Sequence, residues 1–486
     1  MINVTLKWVN EQIAGQLIVQ GGNAAEAGLL TINNVTIDSR NVSPGDLFIA
    51  IKGPTFDGHD YAQQALEKGA AAVVVSRDME LNGVQLVVDN TRYALGQLAA
   101  SVKQFVAPTT IAITGSSGKT TVKEMLATIL RLHLKGEGEV LATAGNFNND
   151  IGVPLTLLRL TTAHKYAVIE LGANHRGEIA YTTGLTKPDV ALINNVAPAH
   201  VEGFGDICGV ARAKMEIFRE LDSSGVAITP AYSDFHELFV RDLQNKNHWV
   251  FATPTKGSNK PGESGAKVWA ESVVVDNKGC AEFILKTATE QSKVKLSVPG
   301  VHNVSNALAA ASCCLAINIP MAEITRGLTS IQPVAGRMWV HETSTGLRVI
   351  DDTYNANVGS ARAAIDVLRT LPGYCIFVLG DMGELGVDAR AYHEEVGAYA
   401  FEAQVNELYT VGVLSQSASD AFNGKQNGRH FDNKEALTAA LLERVSEQPE
   451  LTILVKGSRS AQMERIVEAL LAHTEQQKQQ RGEATC

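Results

Sequence analysis

The sequence predicts an α/β fold in three domains, and three observations carry that expectation. Its 486 residues are too many for one hydrophobic core, at roughly 150 residues per domain. From Thr109 the chain alternates strand-like apolar runs with amphipathic, helix-length runs, the rhythm of a parallel sheet, and a second such alternation starts after Pro333. Residues 1–88 differ, mixing short strands and helices. The expected domains are therefore 1–88, 89–332 and 333–486, with a polar tail from about residue 474.

Composition narrows the class. There are 42 Lys and Arg against 52 Asp and Glu, a net charge of −10, which argues against general binding to nucleic acid or anionic membranes. A charged fraction of 19% and 45% hydrophobic residues are those of a globular chain. No window approaches the roughly 18 apolar residues of a membrane span. Lys7, Glu11 and Gln12 stand where a signal peptide keeps its apolar core, so export is not expected. Cys208, Cys280, Cys313, Cys314, Cys375 and Cys486 show no C-x-x-C spacing and read as reduced thiols of a cytoplasmic protein.

In order along the chain, residues 46–51, 72–75 and 84–88 read as strands, with a helix over 61–68. A helix follows from Thr91, with Leu95, Leu98, Val102 and Phe105 on one face, and Pro108 stops it. Strands are expected at 111–114, 166–171 and 190–194, and a turn-rich surface excursion over 252–266. The last third reads as strands at 347–351, 374–379, 408–411 and 451–455 with helices between.

The sharpest chemical signal lies at 111–121. A buried strand runs into Gly115-Ser116-Ser117-Gly118-Lys119-Thr120-Thr121, then into a helix with Val122, Met125, Leu126, Ile129 and Leu130 as its apolar positions. That is the context of a phosphate loop: glycines let backbone N–H groups close on phosphate oxygens, and the helix amino terminus adds partial positive charge. Lys119 can reach the β- and γ-phosphates, and the Thr120 hydroxyl can ligate Mg²⁺. The standard G-x-x-x-x-G-K-[ST] spacing fails, leaving a shorter G-x-x-G-K-T, and without N-K-x-D the expected nucleotide is ATP. The strand at 166–171 places Glu170 near its carboxyl end, where ligands of such sheets gather, and His200 follows the next strand. Both are candidate Mg²⁺ ligands beside Thr120.

These motifs resemble the Mur ligase family, ATP-dependent amide ligases of peptidoglycan precursor synthesis, over nearly the whole chain. The resemblance implies a central P-loop ATPase-like parallel sheet, a C-terminal Rossmann-like domain and a small mixed α/β N-terminal domain. It implies Glu170 and His200 as magnesium ligands, and Lys214 as a lysine that takes up CO₂ and then serves a second Mg²⁺. Asn303 is similar to the residue that contacts adenine, Arg337 to the arginine that reaches ATP from the third domain, and Asp352 to a ribose-binding acid.

Within that family, Asp352-Thr353-Tyr354-Asn355-Ala356-Asn357, the run 146–155 with Asn148 and Asn149, and the run 379–385 look like the member that adds D-alanyl-D-alanine to UDP-N-acetylmuramoyl-tripeptide. The D-N-P-R run of the diaminopimelate-adding sibling is absent, and Val358 replaces a proline common in this member. Ser39 and Arg40, with Asp57, Gly58 and His59, resemble segments holding the UDP-sugar, and Lys456, Ser458 and Arg459 are candidate contacts for the dipeptide. Tyr354, Asn355 and Asn357 join the substrate-binding set. The resemblance further implies a monomer and a hinge near 303–337 that closes the third domain over ATP. Two rivals stand: a folylpolyglutamate-type ligase, and a P-loop regulator whose ATP hydrolysis needs no amine.

Overall fold

The computed structural model describes every residue except 21, 137, 199–200, 255–264, 344–345, 423–426, 449 and 484–486, with side chains to residue 476. Three larger sheets and a short ribbon organise the chain. The first sheet runs Gln16–Val19, Val84–Val87, Ala72–Val75, Asp46–Ile49, Asn34–Thr36 in spatial order. All its pairs are parallel save the first. The helix expected at 61–68 begins as a 3₁₀ turn, Gly58–Tyr61, and continues as Ala62–Glu67.

Helix Thr91–Val106 links this sheet to the next. The Asn90 side chain caps its first turn, and Ala107 ends it in the left-handed region at φ 50° before Pro108. Leu95, Leu98 and Val102 are buried as expected, but Phe105 is 62% exposed. Phe105 occupies the final turn, where the chain leaves the helix and nothing covers it.

The central sheet has nine strands. Val140–Ala142, Tyr166–Glu170, Thr109–Thr114, Val190–Ile193, Val226–Pro230, Asn247–Ala252 and Val268–Val275 pair in parallel. Cys280–Lys286 and Gln291–Pro299 extend it antiparallel. Ile111 and Ile113 point into one core with Val122, Met125 and Leu308, while Ala112 points into the other with Leu95 and Leu98. A strand buried on both faces loses its alternation and reads as a continuous apolar run, which is why these strands were visible in the sequence. Only Thr109–Thr114, Tyr166–Glu170 and Val190–Ile193 were anticipated; the other six strands of this sheet were not. A signal was present in Gln291–Pro299, whose buried Val294, Leu296 and Val298 alternate with exposed Lys293, Lys295 and Ser297.

The C-terminal sheet is ordered Trp339–Glu342, Arg348–Asp352, Leu451–Lys456, Tyr374–Gly380, Glu407–Val411, Gly428–Phe431, parallel except for its first pair. The polar tail expected from residue 474 is instead helix: Glu464–Glu483 runs unbroken, and Thr474 is buried. Ile466, Val467 and Leu470 anchor that helix in the core, and its glutamine-rich end continues the turn without a breaker. Residues 255–264 of the expected excursion lie outside the described residues. Among the described residues no helix is long and apolar enough to cross a membrane.

Two helices set the phosphate-loop helix in place. Helix His302–Ala316, with Cys313 and Cys314 fully buried, and helix Met321–Thr329 both pack on Lys119–Leu134. Gly327 approaches so closely that an added Cβ would stand 2.7 Å from Ile129 Cα. Gly327→Val should therefore destabilise the protein by about 1–3 kcal/mol, read as a lower midpoint in denaturant unfolding.

Burial also lowers the pKa of the His393 imidazole, which is fully buried and so favours the neutral form in the fold. Unfolded imidazoles protonate near about pH 6.5 and pull the equilibrium toward the unfolded chain as pH falls. Thermal unfolding midpoints should be steady above about pH 7 and decline toward about pH 5.5, with a shallower decline in His393→Gln.

Candidate functional site

The carboxyl ends of Thr109–Thr114, Tyr166–Glu170 and Val190–Ile193 open on a cleft of about 1440 Å³ whose other wall comes from residues within 331–341, 351–364, 383–384 and 456–471. Gly115 to Thr121 form its floor. Gly118 starts the helix at φ 74°, and a Cβ there would lie 2.5 Å from Asn306 Oδ1, so only glycine fits.

The loop is braced from behind by asparagines. Asn195 Nδ2 donates to Ser117 O at 3.0 Å, and Asn195 Oδ1 accepts from Ser117 N at 2.9 Å. Asn194 Nδ2 donates to Ser117 O and to Asn306 Oδ1, and Asn306 Nδ2 donates to Asn303 Oδ1 at 2.8 Å. Asn303 itself donates to Pro299 O at 2.7 Å. A continuous buried chain thus joins the residue expected at adenine to the loop expected at phosphate. Asn194 and its role were missed, because one asparagine at a strand end carries no periodic or spacing signal.

Lys119 Nζ donates to Gly115 O at 2.8 Å. Burial lowers its pKa, Glu170 opposes that, and Arg337 adds to it. Thr120 Oγ1 donates to Glu170 Oε2 at 3.1 Å, and Asn148 Nδ2 donates to Glu170 Oε1 at 2.8 Å. Glu170 is 3% exposed, so its carboxylate is fixed and faces the cleft. Lys214, on helix Ile207–Met215, is buried and lines the same cleft; burial, reinforced by Lys119, holds its pKa far below the ordinary value. Asn149 caps the following turn by accepting from Gly152 N at 2.8 Å. His200 lies outside the described residues.

The C-terminal wall touches the loop directly. Arg337 Nη2 donates to Thr120 Oγ1 at 3.1 Å, with its guanidinium 4.0 Å from the Tyr354 ring centroid. Arg337 Nε is buried with no partner, which leaves the guanidinium half satisfied. Asn357 Nδ2 donates to Ser116 O at 3.4 Å. Asn357 also makes a capping box with Ser360, so the helix Val358–Leu368 starts firmly without a proline at 358.

Asp352 is committed internally: Lys456 Nζ donates to its Oδ2 at 2.5 Å and Met338 N to its Oδ1 at 3.2 Å. Lys456 is 2% exposed and also donates to Asn355 O at 3.0 Å. The structure therefore makes Lys456 the partner that orients Asp352, not an unpaired cation awaiting a peptide carboxylate. Tyr354, Asn355, Ser458 and Arg459 line the cleft.

Ser39, Arg40, Asp57, Gly58 and His59 do not line it. His59 is buried, its Nδ1 on Asp57 Oδ1 and its Nε2 accepting from Ser76 N at 2.9 Å. A Cβ on Gly58 would meet Ile51 N at 2.7 Å. Both residues hold the turn together, which corrects the expectation of direct substrate contact for them. Arg40 is exposed and paired with Asp38 at 2.8 Å, which draws the Asp38 pKa down to about 2.

Nucleotide and cation chemistry fit these residues. Unpaired N–H capacity on Arg337, the Lys119 ammonium and the loop amides converge where a polyphosphate would lie. Among the described residues no three His, Cys, Asp or Glu side chains converge on a metal. Mg²⁺ requires fewer, keeping most of its waters and taking one or two protein oxygens such as Thr120 Oγ1 and Glu170.

Comparison with known proteins agrees with this geometry. Residues 31–103 match the Mur ligase family catalytic domain, 113–314 the Mur ligase middle domain, and 336–459 the Mur ligase glutamate ligase domain. The chain is 45% identical to the UDP-N-acetylmuramoyl-tripeptide–D-alanyl-D-alanine ligase of Escherichia coli (strain K12), covering 97% of this chain and 99% of that one. A crystal structure of MurF from Acinetobacter baumannii superposes with a TM-score of 0.87 at 35% identity, covering 97% and 99% of the two chains. MurF ligase from Thermotoga maritima in complex with ADP superposes at 0.79 with 28% identity, covering 92% and 98%. This chain belongs to the Mur ligase family.

Proposed function

We propose that the chain is an ATP-dependent amide ligase joining D-alanyl-D-alanine to UDP-N-acetylmuramoyl-tripeptide, releasing ADP and phosphate, in peptidoglycan precursor synthesis. The observation that carries this reading is the meeting of Arg337 with Thr120, which brings the phosphate loop and the third domain around one cleft. The names of its relatives and the ADP held by a MurF structure support it.

A carboxylate is a poor acyl donor, so the tripeptide's terminal carboxylate first attacks the ATP γ-phosphorus. The bond to the β-phosphate oxygen breaks, ADP leaves, and an acyl phosphate forms. Lys119 and Arg337 stabilise charge on the phosphoryl oxygens during transfer. Thr120 and Glu170 would hold Mg²⁺, with His200 as the expected third. When bound, the cation neutralises phosphate charge. The dipeptide's neutral amine then attacks the acyl carbon, and phosphate leaves the tetrahedral intermediate. Asn303 faces adenine and Asp352, oriented by Lys456, faces ribose. Segment 1–88 takes the UDP end through Ser39, Arg40 and Asp57.

Lys214 suits carbamylation. Its lowered pKa favours the neutral amine that reacts with CO₂, and the resulting anion would lie near the Lys119 ammonium instead of a second buried cation. Lys214→Arg should lose turnover by about 10²-fold or more, and the wild-type protein should show a carbamate signal with isotope-labelled bicarbonate that the variant lacks. A wild-type protein with no such signal at saturating bicarbonate would count against the modification.

Phosphate release from ATP should require both UDP-muramoyl-tripeptide and D-alanyl-D-alanine, with the pentapeptide product seen by mass. Release with neither would favour the regulator, and turnover only with another amine would change the substrate. Lys119→Ala should reduce turnover by about 10²–10³-fold or more, and near-normal activity would sink the phosphate-loop assignment. Closure about residues 303–337 should alter small-angle scattering when an ATP analogue and the tripeptide substrate are added together.

A further inference from the structure

We propose that Lys123 and Thr143 are positioning residues that aim the Glu170 carboxylate at a divalent cation; the inference rests on the reading of Glu170 as a magnesium ligand. Lys123 lies one turn beyond Lys119 on helix Lys119–Leu134, yet neither it nor Thr143 lines the cleft. The Lys123 side chain is 4% exposed, so its ammonium has left water almost entirely. Burying an ammonium is unfavourable unless fixed partners replace its hydration. Nζ has two, donating to Thr143 O at 2.8 Å and lying 2.6 Å from Glu124 Oε1. Glu124 belongs to the same helix, so the bond to Thr143 is the one that reaches another element.

Thr143 stands where the short strand Val140–Ala142 ends beside Tyr166–Glu170. In a sheet, successive N–H groups of a central strand donate to opposite neighbours. Leu171 N donates to Ile113 O on one side, so Glu170 N faces the other, past the last paired residue of the short strand. There the Thr143 hydroxyl accepts from Glu170 N at 2.9 Å, while Thr143 N donates to Val168 O at 3.1 Å. The hydroxyl thus replaces the carbonyl that a longer strand would have offered, and leaves Thr143 O for Lys123. Thr143 is buried, so losing the hydroxyl would leave the Glu170 amide without an acceptor. Two hydrogen bonds therefore connect the phosphate-loop helix to the backbone of Glu170.

The same loop returns to the carboxylate itself. Asn148, five residues after Thr143, donates from Nδ2 to Glu170 Oε1, and its carbonyl accepts from Gly172 N at 2.8 Å. A Cβ on Gly172 would stand 2.9 Å from Asn148 Cγ, so the two segments are in close contact. The loop is therefore fixed at its start by Lys123 and at its end by the backbone just past Glu170. Mg²⁺ demands near-ideal octahedral geometry from the few protein oxygens it takes, so a small tilt of Glu170 weakens its binding. Groups behind a metal ligand typically contribute about 10–100-fold to metal affinity. The effect of Lys123 and Thr143 should fall on the cation and spare the nucleotide, which the loop amides and Lys119 face directly.

The experiment is titration of the full-length protein with Mn²⁺, followed by electron paramagnetic resonance, in the presence of β,γ-methylene-ATP. The same nucleotide is titrated separately in EDTA, without metal. Lys123→Met fills the buried site without the hydrogen bond, and Thr143→Val removes the hydroxyl while keeping the shape. Each should weaken Mn²⁺ binding about tenfold while metal-free nucleotide affinity stays within about twofold. Thr143→Ser keeps the hydroxyl and should bind Mn²⁺ within about twofold of wild type, a rescue that a purely space-filling role for Thr143 would not give. Glu170→Gln is the reference and should weaken Mn²⁺ binding at least as much. Unchanged Mn²⁺ affinity in Lys123→Met or in Thr143→Val, with Glu170→Gln weakened, would overturn this inference alone. Equal losses of Mn²⁺ and metal-free nucleotide binding would overturn it too, as general damage to the loop. An unchanged Glu170→Gln, or a wild-type protein that binds no Mn²⁺, defeats the ligand reading as well.

Discussion

The contact between Arg337 and the Thr120 hydroxyl spans 217 residues of sequence and joins two sheets that share no strand. An acyl phosphate hydrolyses in water, so a ligase of this kind needs the nucleotide floor and the acceptor wall in one enclosure before chemistry begins. Each wall of the cleft is consequently built from loops at the carboxyl ends of a parallel sheet, and each sheet is buried deeply enough to hold its loops still. The Asn357 contact to Ser116 O repeats the junction from a second point on the same wall.

Charge balance explains the state of the side chains at that junction. Burial lowers the pKa of both Lys119 and Lys214; the Lys119 charge adds to the fall at Lys214, and Arg337 adds to it at Lys119, where Glu170 opposes it. Such an excess of buried positive charge is unfavourable in isolation and favourable once an anion is present. The site is therefore tuned to a polyanionic ligand by its own destabilisation. The asparagine chain from Pro299 O to Ser117 resists the repulsion by holding the loop from behind.

Legibility in the sequence followed local chemistry. The phosphate loop was readable because a glycine turn, a lysine and a threonine must be contiguous to wrap a phosphate, and its flanking strand is buried on both faces. Glu170 was readable because a strand end has a fixed place relative to the loop. The antiparallel strands after Val268 were overlooked although Val294, Leu296 and Val298 alternate plainly, because the turn-rich stretch before them suggested an excursion. Phe105 and the helix past residue 474 show the converse: a stripe or a polar composition indicates what a segment can do, and the neighbouring element decides whether it is covered.

The sequence by itself determined the α/β class, the position of the strand before the phosphate loop and the identity of the loop, since each depends on residues close together in the chain. Only the tertiary structure decided how the other polar residues are used. His59 and Lys456 have the composition of binding residues, yet each is buried, with His59 Nε2 and Lys456 Nζ bonded to partners distant in sequence. Asn194 carries no motif that announces it, yet it bonds to both the phosphate loop and helix His302–Ala316. A polar side chain's role is set by which donors and acceptors reach it first, and that is a property of packing between elements, which a one-dimensional pattern does not encode.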